Sequence, residues 1–519
     1  MAIIKINGKE FEAKEEENLL QFLLKEKFPI PHLCYHPDYE PAEACRLCLI
    51  EVDGKIKTSC SVKIKDGLNV ITNSEKIRKI QMTNLKLIGL SKQRKAKREK
   101  FNFDRIIEFD MSRCVDCQLC LRSCPVEAIE MKDYGANQTI SPTDNRCLDC
   151  GKCLVHCPAS AINTDKKEYE RIVQNIKTKK LKIAQVAPSI RATLGELFDF
   201  PHSKMTGEKV ASSIKALRFD YVFDTSFAAD ITTLEEAKEL IERLKTGEKL
   251  PLLTSCCPGW INYLNFYKQD LKPLLTSVLP PEIIAGNLIK HYFAKKVGLK
   301  PSDIYLVSIM PCTAKKSEVR REELLVDKIA PVDDVLTTIE LATLLKQEKI
   351  DFKNLKEEKF DNPLGEATGA GIIFGVTGGV MTAALRTAYY LLSGKNPDDL
   401  YFQKEITSLE GVKIFNLEIL GKKLRIAIID GLKNFYQIKD KLSDFDYIEV
   451  MACPGGCIAG GGQPRPVDDE IRKKRKEVLL RIDKEKNIKT SHDNPYLKKI
   501  YHEFLINEKA IHKFCHLKH

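Results

Sequence analysis

At 519 residues the chain has room for three or four domains, and its 43% hydrophobic residues suffice for buried cores. The formal charge of +11 leaves cluster-bound thiolates out of account. A four-thiolate iron–sulfur cluster carries about −2, so four of them would bring the loaded protein to about +3, which removes the case for a nucleic-acid partner. Seventeen of the 18 cysteines fall into compact groups and the chain opens Met1-Ala2-Ile3-Ile4-Lys5 with no apolar leader; a secreted disulfide scaffold is excluded, and a cytoplasmic metal or cluster protein is expected.

Residues 1–74 predict a β-rich module. Ile3 to Glu10 reads as a strand and turn, and Asn18 to Lys27 as a helix with Leu19, Phe22 and Leu23 on one face. Cys34, Cys45, Cys48 and Cys60 follow, enough thiolates for a [2Fe–2S] cluster, with a four-cysteine zinc site as the competing reading. Residues 75–104 read as a charged helical linker with Ile77, Ile80, Leu85, Leu87 and Ile88 on its packed side. The run Lys92 to Lys100 reads as a solvated face. Residues 105–170 hold an internal repeat: Cys114, Cys117, Cys120 and Cys124-Pro125 recur as Cys147, Cys150, Cys153 and Cys157-Pro158. This is the bacterial two-cluster ferredoxin run, in which the fourth cysteine serves the other cluster. One [4Fe–4S] cluster is therefore expected on Cys114, Cys117, Cys120 and Cys157, the second on Cys147, Cys150, Cys153 and Cys124. Ala128-Ile129 and Ala161-Ile162 supply matching apolar packing.

Residues 176–465 predict an α/β domain. Strand-like runs lie at 181–186, 221–223, 250–253, 304–309, 424–429 and 447–450, with helical patterns between them such as Thr232 to Lys245. That alternation argues for parallel sheets covered on both faces. The apolar stretch Gly369 to Leu385 is broken by glycines, stopped by Arg386, and short of the ~20 residues a membrane span needs, so no membrane association is expected. Three strand ends carry cysteine motifs: Thr254-Ser255-Cys256-Cys257-Pro258-Gly259-Trp260, Met310-Pro311-Cys312-Thr313-Ala314-Lys315, and Met451-Ala452-Cys453-Pro454-Gly455-Gly456-Cys457. Sites in such sheets gather at the carboxyl ends of strands, which argues for one shared site. Residues 466–519 read as a charged helical tail with surface histidines, among them His492, His502, His512, His516 and His519, and a lone thiol at Cys515.

The three motifs closely resemble the active-site signature of the [FeFe]-hydrogenases, and the resemblance covers nearly the whole chain. The four N-terminal cysteines resemble the ferredoxin-like module of larger hydrogenases and of respiratory-complex subunits, a β-grasp fold. The resemblance implies a two-lobed catalytic domain and, for the tail, the part that is sometimes a separate small subunit. It implies that Cys257, Cys312, Cys453 and Cys457 bind a [4Fe–4S] cubane, with Cys457 bridging to a diiron unit carrying CO, cyanide and a dithiolate, the whole being the H-cluster. Lys315 resembles the lysine that donates to a cyanide; Met310 and Met451 the flanking thioethers; Ala187, Pro188 and Ser189 another wall. Cys256 is implied as the thiol that passes protons, with a pKa near working pH. Glu236 and Glu239 match the two glutamates of the proton path, on a helix that Thr232-x-x-Glu235 is expected to open as a capping box.

Two positions depart from the family pattern. Thr276 stands where a serine is usual, and Glu282 stands where an amide usually meets the CO side. An ionised Glu282 would resist reduction of the cluster; a protonated one would donate as the amide does. Many relatives also carry a cluster bound by one histidine and three cysteines, yet neither residue type occurs between Cys60 and Cys114, so that cluster is expected to be absent. The implied activity is reversible reduction of protons to H2, with electrons from ferredoxin or a flavodoxin-type carrier and with maturation proteins delivering the diiron unit. A hydrogen-sensing relative, a non-catalytic iron–sulfur assembly protein and the catalytic subunit of an electron-bifurcating complex are the alternatives.

Overall fold

The computed structural model describes all residues except 96–100, 103–105, 135–136, 180, 403–406, 420 and 518–519. The chain forms two compact units, Met1–Cys147 with Lys152–Asn163, and Leu148–Gly151 with Thr164–His519.

The smaller unit begins with a five-stranded sheet in the order Lys9–Ala13, Ala2–Ile6, Asn69–Ile71, Leu49–Val52, Lys55–Thr58. Ala2–Ile6 and Asn69–Ile71 run parallel and the other neighbours antiparallel. Ala2, Ile4 and Ile6 alternate inward, as a half-buried strand requires. The helix Leu19–Lys25 lays Leu19, Leu20, Phe22 and Leu23 against them; the Asn18 side chain caps its start by accepting from Gln21 N. The result is the expected β-grasp.

The helix Glu75–Lys95 is tied to this sheet by Gln81 Nε2, which donates to the carbonyls of Leu47 and Leu49 at 3.0 and 3.1 Å. The expected packed side needs correction. Ile77 is buried, but Leu85 and Leu87 are exposed. At about 100° per residue Ile77, Ile80 and Ile88 share a stripe, whereas Leu85 and Leu87 fall on either side of it. The basic run expected to be a solvated face lies largely outside the described residues.

The two cysteine repeats fold alike. Cys124 Sγ accepts from Ala128 N at 3.3 Å, and Cys157 Sγ accepts from Ala161 N at 3.2 Å. Ala128, Ile129, Ala161 and Ile162 are all buried. An antiparallel pair, Ile129–Tyr134 with Asn137–Pro142, follows the first repeat and was not foreseen.

The larger unit holds two sheets. One is fully parallel, in the order Tyr221–Asp224, Leu181–Val186, Ile304–Met310, Asp334–Thr337. The other runs Leu252–Leu253, Tyr447–Met451, Lys422–Asp430, Val412–Ile419, Thr407–Leu409. Its first three strands are parallel and its last two antiparallel. The strand Val412–Ile419 escaped notice because its exposed Lys413 and Glu418 interrupt the apolar run.

The long helix Ser226–Thr246 starts six residues before the expected capping box. Thr232 sits inside it, its hydroxyl donating to the carbonyls of Ala228 and Leu279. The helix opens instead at Ser226, whose N–H donates to Asp224 Oδ1 at 2.9 Å, so no cap is needed at the later threonine. Gly369–Leu385 forms two helices rather than one, Gly369–Ile373 and the start of Gly379–Ser393, and no helix among the described residues is long and apolar enough to cross a membrane.

The tail supplies Asp469–Glu485, Pro495–Glu503 and Glu508–Cys515. It is anchored by a fully buried pair: Arg386 Nη1 and Nη2 meet Asp483 Oδ1 and Oδ2 at 3.1 and 2.9 Å. Tyr401 Oη donates to the same carboxylate at 2.7 Å. Removing one member strands the other charge, so Arg386→Ala is expected to lower stability by about 3–5 kcal/mol, read as a fall in the denaturant midpoint of the apoprotein. Unchanged stability would mean that the pair closes only weakly.

Candidate active site

The three motif strands, Leu252–Leu253, Ile304–Met310 and Tyr447–Met451, each deliver a cysteine-bearing turn at the carboxyl end. Cys257 precedes the helix Pro258–Tyr267, whose Pro258 occupies the first turn, where a missing N–H costs nothing. Cys312 precedes Ala314–Glu318, and Cys457 sits in a short 3-10 turn, Gly456–Ala459. All four expected cubane ligands line one cavity, together with Cys256, Ala187, Pro188, Ser189, Glu282, Met310, Lys315 and Met451. The structure thus brings together every expected pocket residue. It adds Phe374, Thr225 and Ala229, which no motif marked.

Glycine is required where the third motif turns back on its neighbours. Gly456 adopts φ +83°, and a Cβ there would lie 2.6 Å from Thr377 N; one on Gly460 would lie 2.4 Å from Pro311 O. Arg475 of the tail holds the same turn from behind, donating to the carbonyls of Ile458 and Pro464 at 2.8 and 3.0 Å while paired with Glu196.

The pocket's polar groups are unusually bare. Ser189 Oγ and both carboxyl oxygens of Glu282 are buried without a hydrogen-bond partner. Burial pushes the Glu282 carboxyl up to about 8, with Lys315 opposing and Glu318 reinforcing the shift. Burial thus favours the protonated form of Glu282, and the nearby Lys315 charge opposes it. Lys315 Nζ lies 3.4 Å from Glu282 and donates to Glu318 at 2.5 Å. Burial acts against its charge, but the Glu318 and Glu282 carboxyls outweigh it and hold the ammonium above its usual range. Cys256 also departs from expectation: burial, then the nearby Glu236 and Glu449 charges, push its thiol well above the ordinary value rather than near working pH. It is a proton-bearing thiol.

Outward from Cys256 lie the two glutamates. Glu236 is buried; its Oε1 accepts from Tyr447 Oη and its Oε2 has no partner. Burial pushes it up to about 8. Glu239, one turn on, accepts from Thr276 Oγ1 at 2.8 Å, from Ser277 N and Oγ at 3.0 Å each, and from Arg243. Thr276 therefore keeps a hydroxyl on Glu239, as expected. Ser277, Arg243 and Tyr447 were missed. Arg243 was findable as the i+4 partner of Glu239; Tyr447 alternates on a strand with nothing to distinguish it.

The expected accessory ligands sit in matching loops. In the smaller unit Cys34 and Cys45 Sγ lie 3.4 Å apart, and Cys48 and Cys60 are buried nearby. Cys114, Cys117, Cys120, Cys124, Cys153 and Cys157 are likewise buried, while Cys147 is half-buried. Cys150 folds with the larger unit, where Asp149 O accepts from Thr313 Oγ1 at 2.5 Å. The tail histidines need correction. His502 and His512 are exposed, but His492 stacks on Tyr390 at 4.0 Å, and His516 is enclosed by Ser277 and Glu235. His519 lies outside the described residues.

Comparison with known proteins gives this arrangement its family. The "Iron only hydrogenase large subunit, C-terminal domain" family matches residues 180–461. The "2Fe-2S iron-sulfur cluster binding domain" matches 1–75, the "4Fe-4S dicluster domain" 113–161, and the "Iron hydrogenase small subunit" 469–519. The chain is 35% identical to the NADP-reducing hydrogenase subunit HndD of Solidesulfovibrio fructosivorans, over 99% of this chain and 98% of that one. The chain belongs to the iron-only hydrogenases. It is also 34% identical to iron hydrogenase 1 of Clostridium pasteurianum, over the full length of both. Among solved structures, a variant of apo [FeFe]-hydrogenase HydA1 from Chlamydomonas reinhardtii superposes with a TM-score of 0.61 at 34% identity, covering 68% of this chain and 98% of that one. This iron-only hydrogenase is an oxidoreductase acting on H2, with a [2Fe–2S] domain, a two-[4Fe–4S] domain and an H-cluster domain.

Proposed function

We propose that Cys257, Cys312, Cys453 and Cys457 hold the cubane of the H-cluster, that Cys457 bridges to the diiron unit, and that the other twelve grouped cysteines hold the accessory clusters in the pairing set out above. The observation that carries the reading is the cavity itself: four thiols of the right chemistry meet bare, buried polar atoms on Ser189 and Glu282 in one apolar chamber. A pocket left with unpartnered polar atoms costs stability unless a ligand satisfies them, and a diiron unit bearing CO and cyanide offers the acceptors. When bound, that unit supplies the metal chemistry that joins two protons and two electrons as H2.

The chain's own residues orient, insulate and supply protons. Met310, Met451, Phe374 and Pro188 exclude water from the chamber wall. Lys315 presents a fixed positive donor held by Glu318, and Glu282 a neutral one. Cys256 donates a proton inward and is refilled by Glu236, which Glu239 supplies through Thr276. The unpartnered Glu236 Oε2 leaves a hydrogen-bonding position open for a water on this route.

Electrons enter at the [2Fe–2S] or ferredoxin-like clusters, from a ferredoxin or flavodoxin-type carrier. The near full-length likeness to a subunit of an NADP-reducing hydrogenase favours a second reading, in which this chain works within a larger assembly. Purification of the native protein under gentle conditions separates the two: a single species with ferredoxin-dependent turnover supports the first, co-purifying partner subunits with NADP-dependent turnover the second.

The catalytic reading is tested by loading anaerobically purified, cluster-reconstituted protein with the diiron cofactor. Infrared bands of CO and cyanide should appear together with hydrogen evolution from a reduced carrier. Absence of both would sink it.

A further inference from the structure

Glu239 is the outermost acid of the proposed path, and each of its partners restricts where a proton can come from. Arg243 keeps its charge permanently and cannot give a proton up. Thr276 leads inward. That leaves Ser277, whose hydroxyl donates to Glu239 Oε2 at 3.0 Å and lies 2.8 Å from His516 Nδ1. A serine hydroxyl relays a proton but does not store one at neutral pH. An imidazole does.

The position of His516 is fixed by backbone rather than by chance. Beyond the helix Glu508–Cys515 the chain pairs with the strand-like segment before Pro280: Leu279 N donates to Cys515 O at 2.8 Å, and Leu517 N to Ser277 O at 2.7 Å. An antiparallel bridge joins His516 to Val278. The ring's other nitrogen, Nε2, lies 3.4 Å from Glu235 Oε2. Glu235 is held as a carboxylate, at about 2, because hydrogen bonds from His516, Lys238 and Tyr501 outweigh its burial. Glu235, Lys238, Ser277 and His516 line a groove of about 1060 Å³ that also reaches Glu239 and Arg243.

We propose that His516 is the proton-loading residue of the path, a relay supplied by the tail rather than by the catalytic domain. This rests on the proton route proposed above. The step balances without electrons. The ring keeps its Nε2 proton on Glu235 throughout. Its Nδ1 proton passes to Ser277 Oγ as the hydroxyl proton moves to Glu239 Oε2, and the neutral ring is reloaded at Nδ1 from groove water. Hydrogen uptake runs the same steps backward. The charged and titratable groups that bear on the ring are Glu235, Lys238, Glu239 and Arg243 from the long helix, Tyr501 from Pro495–Glu503, and His512 from its own helix, at 4.7 Å between ring centroids. Nε2 of the ring faces Glu235, and Nδ1 reaches Glu239 through the Ser277 hydroxyl, a short route inward.

The test uses the full holoprotein loaded with the diiron cofactor, in wild-type, His516→Gln and His516→Ala forms, with His502→Gln as the exposed control. All four should show the same CO and cyanide infrared bands. His516→Gln should lower hydrogen turnover by roughly tenfold, within the range that positioned acid–base groups contribute, raise the solvent deuterium isotope effect, and flatten the rate profile between pH 6 and 8. Imidazole added to His516→Ala should restore turnover in proportion to its concentration, and His502→Gln should match wild type. A His516→Gln protein with wild-type rate and pH profile overturns the proposal. So does a loss that imidazole does not repair, which assigns the ring to packing alone. Infrared bands without wild-type turnover would remove the catalytic reading and this one together.

Discussion

Cys256→Ala should leave the infrared bands of the loaded cofactor intact while hydrogen turnover falls by about 10²–10⁴-fold, the usual worth of a positioned proton donor. The two halves of this result separate because of where the sulfur sits. Cys256 borders the same cavity as Cys257, yet in this assignment only the latter carries metal. Deleting one thiol beside Met451 and Phe374 removes little volume, so the chamber should still accept its cofactor. What is lost is the proton. With its thiol pushed well above the ordinary range, Cys256 is a full donor across the working pH range, and alanine offers nothing in its place. Cys256→Asp should recover part of the rate with the donor limb displaced to lower pH, because a carboxyl releases its proton more readily than a thiol. Full activity in the alanine protein would refute the assignment.

Glu236→Gln should be comparably severe, again by about 10²–10⁴-fold with bands retained. Glutamine preserves the shape and can still accept from Tyr447 Oη, so a loss of rate reports the missing proton rather than a missing contact. A second measurement distinguishes this group from a merely buried one. Its carboxyl is raised from 4.5 to about 8 by burial, with the Glu239 and Glu449 charges adding and the Tyr447 hydrogen bond opposing. The folded protein therefore keeps a proton that the unfolded chain releases. The stability this contributes is complete below pH 4.5 and is lost as the pH rises to about 8. Glutamine has no such dependence. The variant apoprotein should thus gain on wild type in its unfolding midpoint as the pH is raised from 5.5 to 8, while its turnover stays low at both. A constant stability difference across that range would show that Glu236 is already ionised in the fold.

Much of this was legible in the chain because its chemistry comes in dense local strings. Cys114 to Cys157 announce two clusters by spacing alone, and the motif strands were found because parallel strands read as continuous apolar runs. Short-range pattern failed where the cause was tertiary. Thr232 looked like a cap, yet the helix had already begun six residues earlier, at Ser226, on a turn that the packed structure buries. Leu85 and Leu87 looked like a packed stripe, yet the helix turns them off it. His516 looked like one of several surface histidines; a 239-residue separation from Ser277 puts its role beyond any local reading. The environment of Glu282 belongs to the same class, since its protonation depends on Lys315 and Glu318 arriving from another strand end.

The fold of residues 148–151 bears on how such enzymes can be shortened. These four residues belong by sequence to the second cysteine repeat but fold with the larger unit. Gly151 has φ +69°, and a Cβ there would lie 2.8 Å from Gly461 Cα; the matching position in the first repeat, Gln118, shares the positive φ, +63°, yet carries a side chain. Asn262 Nδ2 and Thr313 Oγ1 spend their hydrogen bonds on the Leu148 and Asp149 carbonyls. A minimal enzyme cut cleanly at residue 164 would expose those two donors, one of them adjacent to Cys312, and a backbone surface shaped for glycine. The seam at which an accessory module can be gained or lost is therefore not the boundary between sequence motifs, and any lineage or engineer that trims this protein must first rebuild the floor beneath Cys312.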